Sequence, residues 1–101
     1  FGELLAALGD TTTEPARTEP ALNEATPGDT RDTSTPRALA ETLRSYALGD
    51  ALPDDRRALL IDWMSGNATG DTLIRAGAPS DAVVVDKSGA GGYGTRTDIA
   101  V

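Results

Sequence analysis

The sequence has no cysteine and no histidine, and only one lysine, one methionine, one tryptophan and one phenylalanine. Without cysteine there are no disulfides and no thiolate chemistry, and the redox compartment stays undetermined. Without histidine the commonest metal ligand and the commonest general base are both missing. Any base must therefore be a carboxylate or Lys87. Long apolar runs are also lacking. Val83-Val84-Val85 is among the longest and is far too short to span a bilayer, and no secretory h-region is present. Positive charge is scarce, with 9 Lys and Arg against 16 Asp and Glu, for a net charge of -7. No basic stripe relieves that balance, which argues against a nucleic-acid footprint. What remains is 101 residues, 39% hydrophobic and 25% charged, with room for one small domain at most. The chain opens at Phe1 on a helical face and closes at Val101 inside an apolar run, which reads as a piece of a longer protein.

Phe1, Leu4, Leu5 and Leu8 follow the i, i+3, i+4, i+7 spacing of one helical face, and Gly9-Asp10 stops it. Residues 11–35 have no sustained period and carry Pro15, Pro20, Pro27 and Gly28, so they form a long loop. Thr35-Pro36 starts a helix, with a hydroxyl at the N-cap and proline at the first helical position. Leu39, Leu43, Tyr46 and Ala47 share its apolar face, and Gly49 ends it. Pro53-Asp54-Asp55 opens another, with Leu59, Leu60, Trp63 and Met64 on its apolar face and Gly66 at its end. A short helix is expected over Asp71–Ala76, stopped by Gly77. The period then changes. Ala82-Val83-Val84-Val85 is predicted as a strand, Ser88–Gly94 as a glycine-rich turn and Arg96–Val101 as a second strand, together an antiparallel hairpin. The resulting division is a helical region over 1–80 and a hairpin over 81–101.

Three features of this layout could carry chemistry. The triplet Thr-Glu-Pro occurs at Thr13-Glu14-Pro15 and again at Thr18-Glu19-Pro20. Glu19 has Asn23 four residues on, and in a locally helical turn the two could converge on one water, the acid taking its proton and the amide holding it. Glu14 has no such partner. Arg17 and Asp32 bound a 16-residue stretch, within the range of an Ω-loop whose neck a salt bridge could close. The ordinary readings are a solvated acid and two unrelated surface charges. Lastly, Lys87-Ser88-Gly89-Ala90-Gly91 puts a lysine and a hydroxyl ahead of small residues that let a ligand approach the backbone. Arg96 follows across the turn, and no acid lies between Lys87 and Arg96. That suits an anionic ligand, and it also suits a plain glycine-rich hairpin with polar edges.

These features coincide in one known family. Arg17-Thr18-Glu19-Pro20-Ala21-Leu22-Asn23, Arg31-Asp32-Thr33-Ser34-Thr35-Pro36, Leu60-Ile61-Asp62-Trp63-Met64 and Asp86-Lys87-Ser88-Gly89-Ala90-Gly91, in that order, resemble the C-terminal half of class A serine β-lactamases over about residues 8–101. The resemblance implies an α/β (α+β) fold of the β-lactamase and transpeptidase type, an antiparallel sheet packed by helices. This chain would contribute the Ω-loop 17–32, three to four helices and two strands. It implies that Glu19 is the general base for the deacylating water and Asn23 the amide that co-holds it. Arg17 and Asp32 would be the salt bridge at the loop neck, and the Glu19-Pro20 bond would be cis. Lys87 would keep the site positive and assist the proton relay. Ser88 and Arg96 would bind the β-lactam carboxylate, Gly89 and Ala90 would also line the substrate site, and the backbone N–H of Ala90 would be an oxyanion-hole donor. Gly91, Gly92 and Tyr93 fall where the family tunes cephalosporin fit. The implied partner is a small-molecule β-lactam, with no cofactor and no metal. The implied parent is a secreted or periplasmic bacterial monomer that confers antibiotic resistance.

The sequence also departs from the family. No serine has a lysine three residues later, so the nucleophile motif Ser-x-x-Lys is absent, and Ser80-Asp81 continues with Ala82, not Asn. The chain is therefore expected to be inactive alone. Glu14-Pro15-Ala16 replaces the usual basic, apolar and acidic residues at the loop entry, and Pro15 removes a backbone donor there. A penicillin-binding D,D-peptidase-like protein and a non-catalytic binding relative on the same scaffold are the rival readings. Such peptidases lack the Glu19–Asn23 loop.

Overall fold

Thr35 does what its position predicts. Its hydroxyl accepts a hydrogen bond from the Ala38 N–H at 3.2 Å, and Pro36 occupies the first turn, where no N–H is needed. In the computed structural model, which describes residues 1–101, this helix, α2, runs over Pro36–Ala47. It is preceded by α1, Gly2–Ala7, and by a 3-10 turn over Ala21–Asn23. Helix α3 follows over Asp54–Ser65 with both first-turn acids in place, and α4 is a single turn over Ile74–Gly77. Strands β1, Asp86–Ala90, and β2, Arg96–Ala100, complete the chain as one antiparallel pair. Four helices and a two-stranded sheet are the elements the sequence leads one to expect.

The strand boundaries are not. The apolar run Ala82–Val85 is outside the sheet, and the strand is the polar stretch Asp86–Ala90, in register with Arg96–Ala100 so that Lys87 faces Ile99 and Ser88 faces Asp98. Register explains the shift. The partner strand offers its residues 96–100 opposite 86–90, and of the valines only Val85 joins, exchanging two 3.0 Å hydrogen bonds with Val101. Val83 is left exposed. Lys87-Ser88-Gly89 therefore lies within a strand and not beyond its end. Helix α4 likewise starts at Ile74, three residues later than expected.

The core is small. Leu43 and Ala47 of α2, Met64 of α3 and Val85 form its centre, and Leu60, Ile61, Ile99 and Val101 pack around them. Trp63, expected on the apolar face of α3, is 68% exposed because the face that meets α2 and the sheet is the Leu60–Ile61–Met64 side. In α1 only Leu5 is buried, while Phe1 and Leu4 are exposed. No helix is long and apolar enough to cross a membrane.

Candidate active site

The 11–35 loop is tied shut at its base. Asp10 begins the tie. Its carboxylate accepts from the Thr12 and Thr13 N–H groups at 2.9 Å, from the Thr13 hydroxyl at 2.6 Å and from the Thr42 hydroxyl of α2 at 3.2 Å. The Thr13 hydroxyl, followed by the two backbone donors, lowers the Asp10 carboxyl to about 2. Glu14 then pairs through its backbone with the returning strand of the loop. Its N–H donates to Thr33 O at 2.9 Å, and its carbonyl accepts from the Asp32 N–H at 2.7 Å. The first Thr-Glu-Pro copy thus ties the loop through its main chain, while its side chain has no counterpart of the Glu19–Asn23 contact. Pro15 costs the loop no donor, because the next two N–H groups, of Ala16 and Arg17, are the ones used: both donate to Asp32 Oδ1, at 2.7 and 2.8 Å.

Arg17 and Asp32 form the expected clasp, with Arg17 Nε donating to Asp32 Oδ2 at 2.6 Å. That bond, and then the backbone donors, lower Asp32 from 3.8 to about 2. Arg17 also donates to Glu24, and Arg31 grips Asp29 with bonds of 2.6 and 3.1 Å. Hydrogen bonding to Arg31 holds the Asp29 carboxyl well below the usual carboxylate range. Within the loop so closed, the Glu19-Pro20 bond is cis, and the 3-10 turn over Ala21–Asn23 brings the Asn23 amide onto Glu19, donating to Oε2. Glu19 itself is exposed.

The far side of this loop touches the hairpin. The Asn23 and Glu24 carbonyls pack on Gly91 and Gly92. A Cβ on Gly91 would stand 2.9 Å from Asn23 O, and one on Gly92 would overlap Glu24 O. Residues 23–25 therefore sit immediately beyond Ala90, the end of β1. Lys87 Nζ donates to Ser88 O at 2.5 Å, and neither Lys87 nor Arg96 is ion-paired, whereas six of the nine basic residues are.

Behind Ser88 stands a network that sequence reasoning did not find. Asp86 is wholly buried and accepts from Arg75 and, at 2.5 Å, from Asn67 Nδ2. Burial pushes its carboxyl up, but the Arg75 and Asn67 hydrogen bonds with the charges of Arg75 and Lys87 outweigh it and hold the group below its ordinary value. The Thr69 hydroxyl donates to Asn67 Oδ1 at 3.0 Å and shares a hydrogen bond with the Ser88 hydroxyl. Asp98 accepts from the Ile74 N–H at 3.1 Å. An aspartate beside the lysine in Asp86-Lys87-Ser88 was the only available hint. No group of three or more acidic side chains gathers as a metal-binding cluster.

A family model described as Beta-lactamase matches residues 2–101. The chain belongs to the β-lactamase family. It is 57% identical over all 101 residues to Beta-lactamase 3 of Bacillus cereus, covering 32% of that protein. It is 63% identical over 97 residues to a β-lactamase of Amycolatopsis lactamdurans, covering 96% of this chain and again 32% of the relative. A solved ancestral class A β-lactamase superposes with a TM-score of 0.91 at 54% identity over 98% of this chain and 38% of that one. The chain thus spans about a third of the length of the β-lactamases it matches. Of the residues singled out in the sequence, Glu19 and Asn23 are in contact, as are Arg17 and Asp32. Lys87, Ser88, Gly89 and Ala90 share β1, and Arg96 opens β2 opposite Ala90.

Proposed function

We propose that this chain carries the water-activating loop and the anion-binding strand of a serine β-lactamase, the parts that hydrolyse the acyl-enzyme formed from a penicillin or cephalosporin. The observation that carries this reading is the Glu19–Asn23 contact on a loop locked by Arg17 and Asp32 and seated against the hairpin. A water lying between the Glu19 carboxylate and the Asn23 amide would give its proton to Glu19 as its oxygen attacks the ester carbonyl. Glu19 would then return that proton to the departing serine oxygen, so Glu19 is regenerated at each turnover. The Asn23 amide, one N–H already spent on Glu19, has a second to position the water. Lys87 and Arg96 leave positive charge at β1 and β2 for the substrate carboxylate, with Ser88 and Gly89 beside them and the Ala90 N–H offered to the developing oxyanion. Residues 17–32 are then an Ω-loop, 1–80 part of a helical region and 81–101 part of a larger antiparallel sheet. The nucleophilic serine is not among the residues described, so the chain alone is expected to be inactive. Secretion and a monomeric parent accompany this reading.

The test is a hybrid in which this chain replaces the matching 101 residues of the Bacillus cereus relative, a segment 57% identical to it. The hybrid should hydrolyse benzylpenicillin. Glu19→Gln should lower turnover by roughly 100- to 10,000-fold and leave a penicilloyl adduct visible by mass spectrometry, while Glu14→Gln should do neither. Full turnover by the Glu19→Gln hybrid would sink the reading.

A further inference from the structure

We infer that Thr69 is a positioning residue that sets which way the Ser88 hydroxyl points, and that in the free protein it holds the Ser88 proton away from the carboxylate of an arriving ligand. One chain of hydrogen bonds reaches Ser88, and its polarity is fixed at its buried end. Asp86 is completely buried between Arg75 and Asn67. An ionised carboxylate can only accept, so the Asn67 atom facing it must be Nδ2. That settles the amide, and Asn67 Oδ1 must point the other way, where it meets the Thr69 hydroxyl at 3.0 Å. A carbonyl oxygen can only accept, so Thr69 spends its single proton on Asn67. The Thr69 oxygen still touches the Ser88 hydroxyl, and the only proton left for that contact is the one on Ser88. Asp86 and Ser88 lie two residues apart on β1 and so on one face, which is why both ends of the chain reach the same 67–69 segment.

Ser88 therefore presents lone pairs, not a proton, to its open side. This inference rests on the reading of Ser88 and Arg96 as groups that bind the substrate carboxylate. For Ser88 to donate to a carboxylate, it must leave Thr69, or Thr69 must turn its own proton to Ser88 and abandon Asn67 Oδ1. Either way one hydrogen bond of the chain is lost on binding. Thr69 thus acts as a brake on anion binding: it helps to order Ser88 while the site is empty and weakens the carboxylate contact when it is filled.

Thr69→Val keeps the shape and removes the acceptor, so Ser88 is free to donate at once. In the full chain and in the hybrid, acetate, an inert carboxylate, is titrated by NMR at the Ser88 amide. Thr69→Val should tighten acetate roughly three- to tenfold, the worth of one neutral hydrogen bond, and Thr69→Ser, which restores the hydroxyl, should return the wild-type affinity. In the hybrid, Thr69→Val should lower the KM for benzylpenicillin by a similar factor with kcat within about twofold, because the contact is made equally in the ground and transition states. The methyl ester of benzylpenicillin, which lacks the carboxylate, should not respond. If Arg96→Ala weakens acetate but Thr69→Val leaves it unchanged or weakens it, the Thr69 inference is overturned and the anion site stands. If acetate binding ignores Arg96 as well, the anion site itself is wrong and the inference falls with it.

Discussion

Gly70 is buried, and the Asp86 carboxylate occupies the space where its side chain would begin. A Cβ there would overlap Asp86 Oδ2 and press on Asp86 Cγ at 2.6 Å, so only glycine lets the acid reach Asn67 and Arg75. Gly70→Ala should therefore expel Asp86 from its pocket. Overpacking of this kind costs about 1–3 kcal/mol, and the hybrid should show it as a fall in Tm in differential scanning calorimetry. Gly77→Ala, where a Cβ meets nothing, is the control. Asp32 offers a second residue-level test, because its carboxyl is lowered from 3.8 to about 2 by Arg17 and the Ala16 and Arg17 N–H groups. A depressed carboxyl stabilises the folded state fully above its unfolded value and loses that contribution as pH falls through its folded one. Exchange protection of the Ala16 and Arg17 amides should hold from neutrality to about pH 4 and decay toward pH 2. Asp32→Asn should give low protection already at pH 7. Protection in that variant equal to the wild type would show that the clasp does not depend on the charge.

At the scale of elements, the seam between the 17–32 loop and the hairpin decides how Glu19 meets β1. Gly91 and Gly92 accept the Asn23 and Glu24 carbonyls with no room to spare. Gly92→Ala should push residues 23–25 off the hairpin and carry Asn23 and Glu19 with them. A displacement near 1 Å can cost about 100-fold, so kcat of the hybrid should fall roughly 10- to 100-fold while formation of the acyl-enzyme, followed by stopped-flow, changes little. Equal losses in both steps would mean the seam supports the whole site and not the loop alone. This seam was not legible in the sequence, although each side of it was. Helix α2 could be read from Thr35-Pro36, and the Glu19–Asn23 pair from its spacing, because those signals are local. Strand β1 could not, because Asp86-Lys87-Ser88-Gly89-Ala90 has little strand propensity and is a strand only by its register against 96–100. The Val83 run had the propensity and lacked the partner. Asn67, Thr69, Arg75 and Asp86 escaped for a related reason: they converge from three segments, and no period links them.

The whole molecule leaves large apolar side chains at its surface. Phe1 is 77% and Trp63 68% exposed, with Leu4, Leu48 and Val83 also at the surface. The core holds five buried hydrophobic residues, one of them, Leu5, outside the main cluster. The sheet has two strands, so each has one unpaired edge, and an isolated pair of strands is marginal in water. With so little buried, single core contacts weigh heavily: Leu43→Ala should cost about 2–5 kcal/mol in denaturant unfolding, a large share of the roughly 5–15 kcal/mol that holds a whole domain together. Open edges and exposed apolar side chains favour contact between copies, and a net charge of -7 opposes it until salt screens the repulsion. The chain by itself should thus elute as a monomer at low ionic strength and as larger species in high salt, measured by light scattering, while the hybrid, with those surfaces packed, stays monomeric in both. A salt-independent monomer would mean that the edges and exposed side chains are too scattered to form a contact surface.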